Sequence, residues 1–316
     1  MEYDIIASGY VSMDRVIKIA SPMKLGFTSI IKNKNNSKIY YGGCATNICY
    51  LLSKLGKKTL PVIRLGEEDR EEVGFYDFLK EGGVFLDGVE FIKDETTPNC
   101  YLFLDDERNH ITSFYPGAQD GKYSKPISKN LFEKSKYGLM TVGSFEDNKE
   151  FFNKCKETST PLIFGMKSDF EAFPPSFLKE ILLYSEIIFT NGAEREEIEK
   201  LYSLSSITEL FSMGNAKIII TTRGKKGSTF YEKTKDGIKE GEVFAAEENP
   251  VVDTTGSGDA YIAGFIYGFL ENKSVEECCK RGSILSSFII EKEGCLTNAP
   301  DIEEFNKRYK KLIGEI

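Results

Sequence analysis

Residues 251–270 read VVDTTGSGDAYIAGFIYGFL, and the segment DTTGSGD at 253–259 decides how the rest of the chain is understood. Gly256 and Gly258 let the backbone turn without Cβ clashes and let a bound group approach the main chain closely. The apolar run that follows predicts a helix, so unpaired N–H groups stand at the positive end of its dipole. Such a junction binds anions. Asp259 falls in the first turn of that helix. There it caps the helix, or, with a phosphoryl group seated on the backbone of Gly256, Ser257, Gly258 and Asp259, it accepts a proton from an attacking hydroxyl.

Upstream of this junction, short apolar runs have the length of buried strands: 3–9, 59–66, 137–143, 161–166, 186–192 and 218–224. Segments at 46–56, 70–83, 148–158 and 177–185 carry apolar residues at helical spacing, and three more helices are expected after residue 256. Alternating strands and helices predict an α/β fold of three αβα layers around a mostly parallel sheet. Two regions, 10–41 and 91–118, are strand-rich with no helix and predict a small β-sheet lid over one domain spanning 1–316. The polar tract KNKNNSK (32–38) reads as a hairpin tip or mobile loop.

A net charge of −8 repels phosphate backbones and argues against nucleic-acid partners. No run reaches the length of a membrane span, and MEYDIIASGY lacks the apolar core of a signal peptide, so a cytoplasmic protein with no membrane partner is expected. Seven cysteines without a CxxC pair, and a single histidine (His110), supply a zinc site poorly; reduced, mostly buried thiols are expected instead.

Three further segments hold candidate ligands. YYGGCATNICYLLSKLG (40–56) sets Gly42 and Gly43 before a helix with Asn47 near its start. FTNGAEREEIEKL (189–201) places Glu194 three residues after Asn191, and ITTRGKKGSTF (220–230) contains Thr222, Gly224 and Gly227. Singly they read as a strand-to-helix turn, a helix start and a hairpin. Jointly, and in this order, they resemble the ribokinase-like (PfkB) carbohydrate kinases, a group that includes adenosine and other nucleoside kinases. DTTGSGDAYIAGF is similar to that family's C-terminal signature with Ser257 in place of the usual Ala, and GGCATNICYLLSKLG to its N-terminal one. Asn191-Gly-Ala-Glu194 matches its N-x-x-E motif and Thr222-Arg-Gly-Lys-Lys-Gly227 its T-x-G-x-x-G turn, and the resemblance runs from Asp14 to about Pro300.

The resemblance implies an ATP-dependent phosphotransferase acting on an alcohol. Asp259 would be the base and the 256–259 backbone the anion hole, while Asp14, Gly42, Gly43 and Asn47 would hold the acceptor. Thr222, Gly224, Gly227 and Asn191 would line the ATP site, and Glu194 would hold Mg²⁺ through water. Asp253 and Thr255, with carbonyls near 291–295, correspond to a K⁺ site of several relatives. A sugar-type hydroxyl is the expected acceptor; a nucleoside is the alternative, because Phe114 and Tyr115 could stack on a base. A noncatalytic sugar-binding regulator would have lost the base or cradle, and both are intact. A nicotinamide dehydrogenase needs G-x-G-x-x-G after the first strand, where this chain has SGYVSMD (8–14). A homodimer through the lid is a further expectation.

Overall fold

The computed structural model describes residues 1–21, 23–106 and 110–314; Asn109, within the strand-rich region 91–118, lies outside them. In chain order the strands are β1 (Tyr3–Ser8), β2 (Ser12–Lys18), β3 (Tyr40–Gly42), β4 (Thr59–Gly66), β5 (Val89–Ile92), β6 (Asn99–Leu104) and β7 (His110–Tyr115). After these come β8 (Ser135–Met140), β9 (Leu162–Gly165), β10 (Ile187–Asn191), β11 (Ile218–Thr222), β12 (Ser228–Thr234) and β13 (Gly237–Val243). The helices are α1 (Cys44–Lys54), α2 (Phe75–Glu81), α3 (Lys129–Glu133), α4 (Phe145–Thr158), α5 (Pro175–Tyr184), α6 (Gly192–Leu201), α7 (Leu210–Met213), α8 (Ser257–Leu270), α9 (Val275–Ile289) and α10 (Ile302–Ile313).

Nine strands form one sheet in the order β13-β12-β11-β10-β9-β8-β1-β4-β5. Its pairs from β11 to β5 are parallel, and β12 and β13 close one edge as antiparallel strands. Strand alternation sends Ile187, Phe189, Ile218 and Ile220 into a core with α1, α8 and α9. Ile188 and Ile219 enter a second core with α4 and α5. The sheet is therefore covered on both faces, which is why its strands read as continuous apolar runs.

The two insertions meet in a separate four-stranded sheet, β3-β2-β6-β7. Its central pair, β2 and β6, is parallel, and the outer pairs are antiparallel. Register aligns Tyr40, Asp14, Cys100 and Phe114 across one face of this sheet.

Two local expectations are corrected. The helix expected over 70–83 spans only Phe75–Glu81, because the Asp69 carboxylate accepts from the amides of Phe75 and Tyr76 and Gly74 turns into the left-handed region (φ 73°). The KNKNNSK tract is no free tip. Asn33 accepts from the Lys18 amide at 2.8 Å and donates to the Val16 carbonyl, and Asn35 donates to Glu293.

Glu293 also accepts from the Tyr40 hydroxyl (2.5 Å) and pairs with Lys18 at 2.9 Å. One carboxylate thus ties β2, β3 and the polar tract to the loop after α9. A second tie is buried. Arg64 of β4 forks onto Asp147 with two 2.7 Å bonds and donates to the Ala118 carbonyl, where the chain returns from β7 to the main sheet.

Candidate active site

The candidate residues converge at the C-terminal edge of the parallel strands, where open α/β sheets bind ligands. Gly256 at the start of α8 has φ 77°, and a Cβ there would come within 2.9 Å of the Cys295 Cβ. Beside Gly258 a Cβ would meet no atom within 4 Å, so this side of the turn is open. No side chain caps α8; the Ser257 amide donates to the Thr254 carbonyl at 3.2 Å, which leaves the amides of Gly258 and Asp259 without an intrahelical acceptor beside that open space. Capping is therefore not the role of Asp259, whose carboxylate instead accepts from Asn47 Nδ2 at 2.8 Å.

Asn47 is 2% exposed, and its Oδ1 is buried without a partner. An orphaned buried acceptor next to the candidate base is suited to a ligand hydroxyl. Asp14 lies over Gly42, where a Cβ would sit 2.4 Å from Asp14 Oδ2; the space beside Gly43 (φ 97°) is filled by the Tyr10–Ser12 backbone. Both glycines are thus required by the protein's own packing, which brings the small sheet onto α1.

Burial pushes the Asp14 carboxyl up to about 6; the Ser12 hydroxyl opposes this, and the charges of Asp259 and Asp253 add to it. Asp14 is therefore an ionised acceptor above that pH and a neutral donor below it. Burial also raises Asp259, opposed by the Asn47 amide, the Lys167 ammonium and the Cys44 thiol. A raised carboxylate pKa makes the ionised group a better proton acceptor than a solvated one.

Asn191 and Thr222 are register partners at the ends of β10 and β11. Asn191 and Glu194 form a reciprocal capping box: Asn191 Oδ1 accepts from the Glu194 amide at 2.9 Å, and Glu194 Oε2 accepts from the Asn191 amide at 2.7 Å. Gly224 and Gly227 flank Lys225 in the β11–β12 turn, and Lys225 lines a pocket of about 870 Å³ with Glu242, Phe244, Glu276, Lys280 and Ile284. At Gly227 a Cβ would meet the Val243 carbonyl at 1.9 Å, so this glycine allows the β13 exit to close over the turn.

Asp253 joins two loops, accepting from the amide and hydroxyl of Thr255 on Oδ1 and from the Gly294 amide on Oδ2. Among the described residues no three His, Cys, Asp or Glu side chains gather as a metal site. All seven cysteines are free.

Three groups escaped the sequence reading. Cys44 and Cys295 line the site, the second with its thiol 3.9 Å from Asp14 Oδ2. Lys167 follows β9 and interacts electrostatically with both Asp259 and Glu194. The paired stacking role for Phe114 and Tyr115 is also corrected. They are adjacent in β7 and point to opposite faces. Phe114 shares the face of Asp14 and packs on Tyr10 with ring centroids 4.8 Å apart, whereas Tyr115 donates its hydroxyl to Glu95.

The fold is that of a ribokinase-like α/β protein. The crystal structure of Methanocaldococcus jannaschii nucleoside kinase, an archaeal member of the ribokinase family, superposes with a TM-score of 0.85 at 26% identity, covering 98% of this chain and 99% of its own. The Burkholderia thailandensis nucleoside kinase in complex with inosine shares the fold, with a TM-score of 0.82 at 22% identity over 98% of this chain and 97% of that one. The Methanothermobacter thermautotrophicus nucleoside kinase is 28% identical over 306 residues, which is 97% of this chain and 95% of that protein. A family model for pfkB family carbohydrate kinases matches residues 4–302, and the chain belongs to that family.

Proposed function

We propose that this chain transfers the γ-phosphoryl group of ATP to a sugar hydroxyl of a nucleoside. The observation that carries the nucleoside is the row Asp14–Cys100–Phe114 on one face of the small sheet, with Tyr10 against Phe114. A sugar bound through Asp14 and Asn47 would have its base beside this aromatic pair. The similarity to archaeal nucleoside kinases supports the same acceptor.

In this reading Asp259 takes the proton of the attacking hydroxyl as its oxygen bonds to the γ-phosphorus, and the bond to the β,γ-bridging oxygen breaks to release ADP. The open amides beside Gly258 receive the charge on the transferring group. The small sheet acts as a lid that excludes water and limits ATP hydrolysis. Thr222, Gly224 and Asn191 border the nucleotide, with its base in the pocket lined by Lys225 and Phe244. Among the described residues no helix is long and apolar enough to cross a membrane.

The donor set fits two ions. Glu194 keeps Oε1 outside its capping box, and a single carboxylate suits Mg²⁺ carried on phosphates and water. Mg²⁺ would neutralise phosphate charge during transfer. Asp253 and Thr255 would hold K⁺ between the two loops that Asp253 already joins. Both ions are read without turnover as rises in melting temperature, for Mg²⁺ with ADP against ADP alone and for K⁺ against tetramethylammonium. An ion that produces no rise has no site here.

Acceptor class is tested by Kd for a nucleoside and for a free pentose. Phe114→Leu is expected to weaken the nucleoside by about 1–3 kcal/mol, the usual range for base–aromatic stacking, and to leave the pentose unchanged. Tyr115→Leu, on the opposite face, is expected to change neither. Saturable transfer to a free sugar with no nucleoside binding would overturn the nucleoside reading.

A further inference from the structure

Strand β9 lies inside the main sheet between β8 and β10. Its last residue, Gly165, faces α8: a Cβ there would sit 3.2 Å from Ile262 Cδ1, one helical turn past Asp259. The chain stays paired for another residue, because the Met166 amide donates to the Phe189 carbonyl at 3.0 Å. Side chains alternate along an extended chain, so Lys167 returns to the face of Gly165, two residues further along. The helix runs back against the strand, and those two residues bring Lys167 level with the first turn of α8.

Four groups from four different elements act on the Lys167 ammonium: Cys44 of α1, Asp259 of α8, Glu194 of α6 and Cys295 of the loop after α9. Asp259 and Glu194 act on it through charge alone, without a direct hydrogen bond. Lys167 is exposed to solvent. A flexible ammonium between a candidate base and a candidate ion-organising carboxylate is placed for an anion that lies between them.

We propose that Lys167 contacts the γ-phosphoryl group of the bound nucleoside triphosphate and balances its charge during transfer. The inference rests on the phosphoryl-transfer reading above and adds a cation from the protein to an anion hole otherwise made of backbone amides. A point charge on a four-carbon stem follows the group from donor to acceptor, which fixed amides cannot do. The same charge favours the ionised form of Asp259, as the acceptor of a proton requires.

The test is Lys167→Met, with Lys167→Gln as a second variant should Met impair folding. Affinities are measured for ADP and for a nonhydrolysable ATP analogue, each with Mg²⁺, together with kcat on the acceptor. The expected result is an analogue affinity at least about tenfold weaker with ADP affinity within about twofold of wild type. A kcat loss on the order of 10²–10³ should accompany it, comparable to removal of one oxyanion donor. Equal weakening of both nucleotides, or of neither, overturns the proposal. Asp259→Asn is assayed in parallel: retained turnover there would sink the base assignment and leave the ADP-versus-analogue comparison intact. A wild-type chain that binds neither nucleotide would overturn the kinase reading and this inference together.

Discussion

Asp259→Asn is expected to lower turnover by on the order of 10²–10⁴, the share that a positioned general base contributes. Binding of ADP and of the acceptor should stay close to wild type. The replacement is isosteric, and Asn47 Nδ2 can still donate to the oxygen that it now meets at 2.8 Å. Stability provides an internal check on the environment. The Asp259 pKa is raised by burial, so the ionised carboxylate disfavours the folded state at pH values above its unfolded pKa. The Asn variant should therefore melt at or slightly above the wild-type temperature at pH 7, with the gap closing as the pH falls toward 4. Near-normal turnover in a folded variant would remove Asp259 from the proton transfer.

The largest effect on stability is expected at the other end of the molecule's polar framework. Asp147→Ala should destabilise the fold by about 3–5 kcal/mol, the range for breaking a buried ion pair from one side. Arg64 is 8% exposed and would keep its charge while losing both 2.7 Å bonds to Asp147. Ser144 would lose its acceptor as well. Replacing both partners, as Arg64→Met with Asp147→Leu, should cost clearly less, because no charge is left stranded. The denaturant midpoint in urea reads both variants, and a shift below about 1 kcal/mol for Asp147→Ala would show that water reaches Arg64 there.

The residues that sequence reasoning located are those whose chemistry is compressed into one short segment. In DTTGSGD the turn, the helix-start amides and the candidate base are neighbours along the chain, and the helix that follows is announced by its apolar run. The three-layer fold was legible for a similar reason, since the parallel strands are short, mainly apolar runs, with exceptions such as Arg64 in β4. Lys167 gave no such signal. In GMKSDF it reads as an ordinary loop lysine, and its importance depends on β9 lying beside β10 and against α8, which only the sheet order establishes. Phe114 and Tyr115 were paired because they are adjacent in sequence, but a strand sends neighbours to opposite faces, and its phase is set by partners on β6. The start of α2 was placed too early because the cap that sets the boundary comes from Asp69, whose carboxylate accepts from the amides of Phe75 and Tyr76.

The parallel pairing of β2 with β6 bears on how acceptor range can change among such proteins. Parallel neighbours cannot be joined by a tight turn, and here α1, β4 and α2 all intervene between the two strands. The cover over the site is consequently no cassette that recombination could lift from one protein into another in a single piece. A chimaera that exchanged only the first insertion would set foreign β2 and β3 against a native β6, and any mismatch in register would expose an unpaired edge open to aggregation. Point changes at positions standing abreast on that surface, Asp14, Cys100 and Phe114, would by contrast alter the neighbouring chemistry while the strands keep their partners.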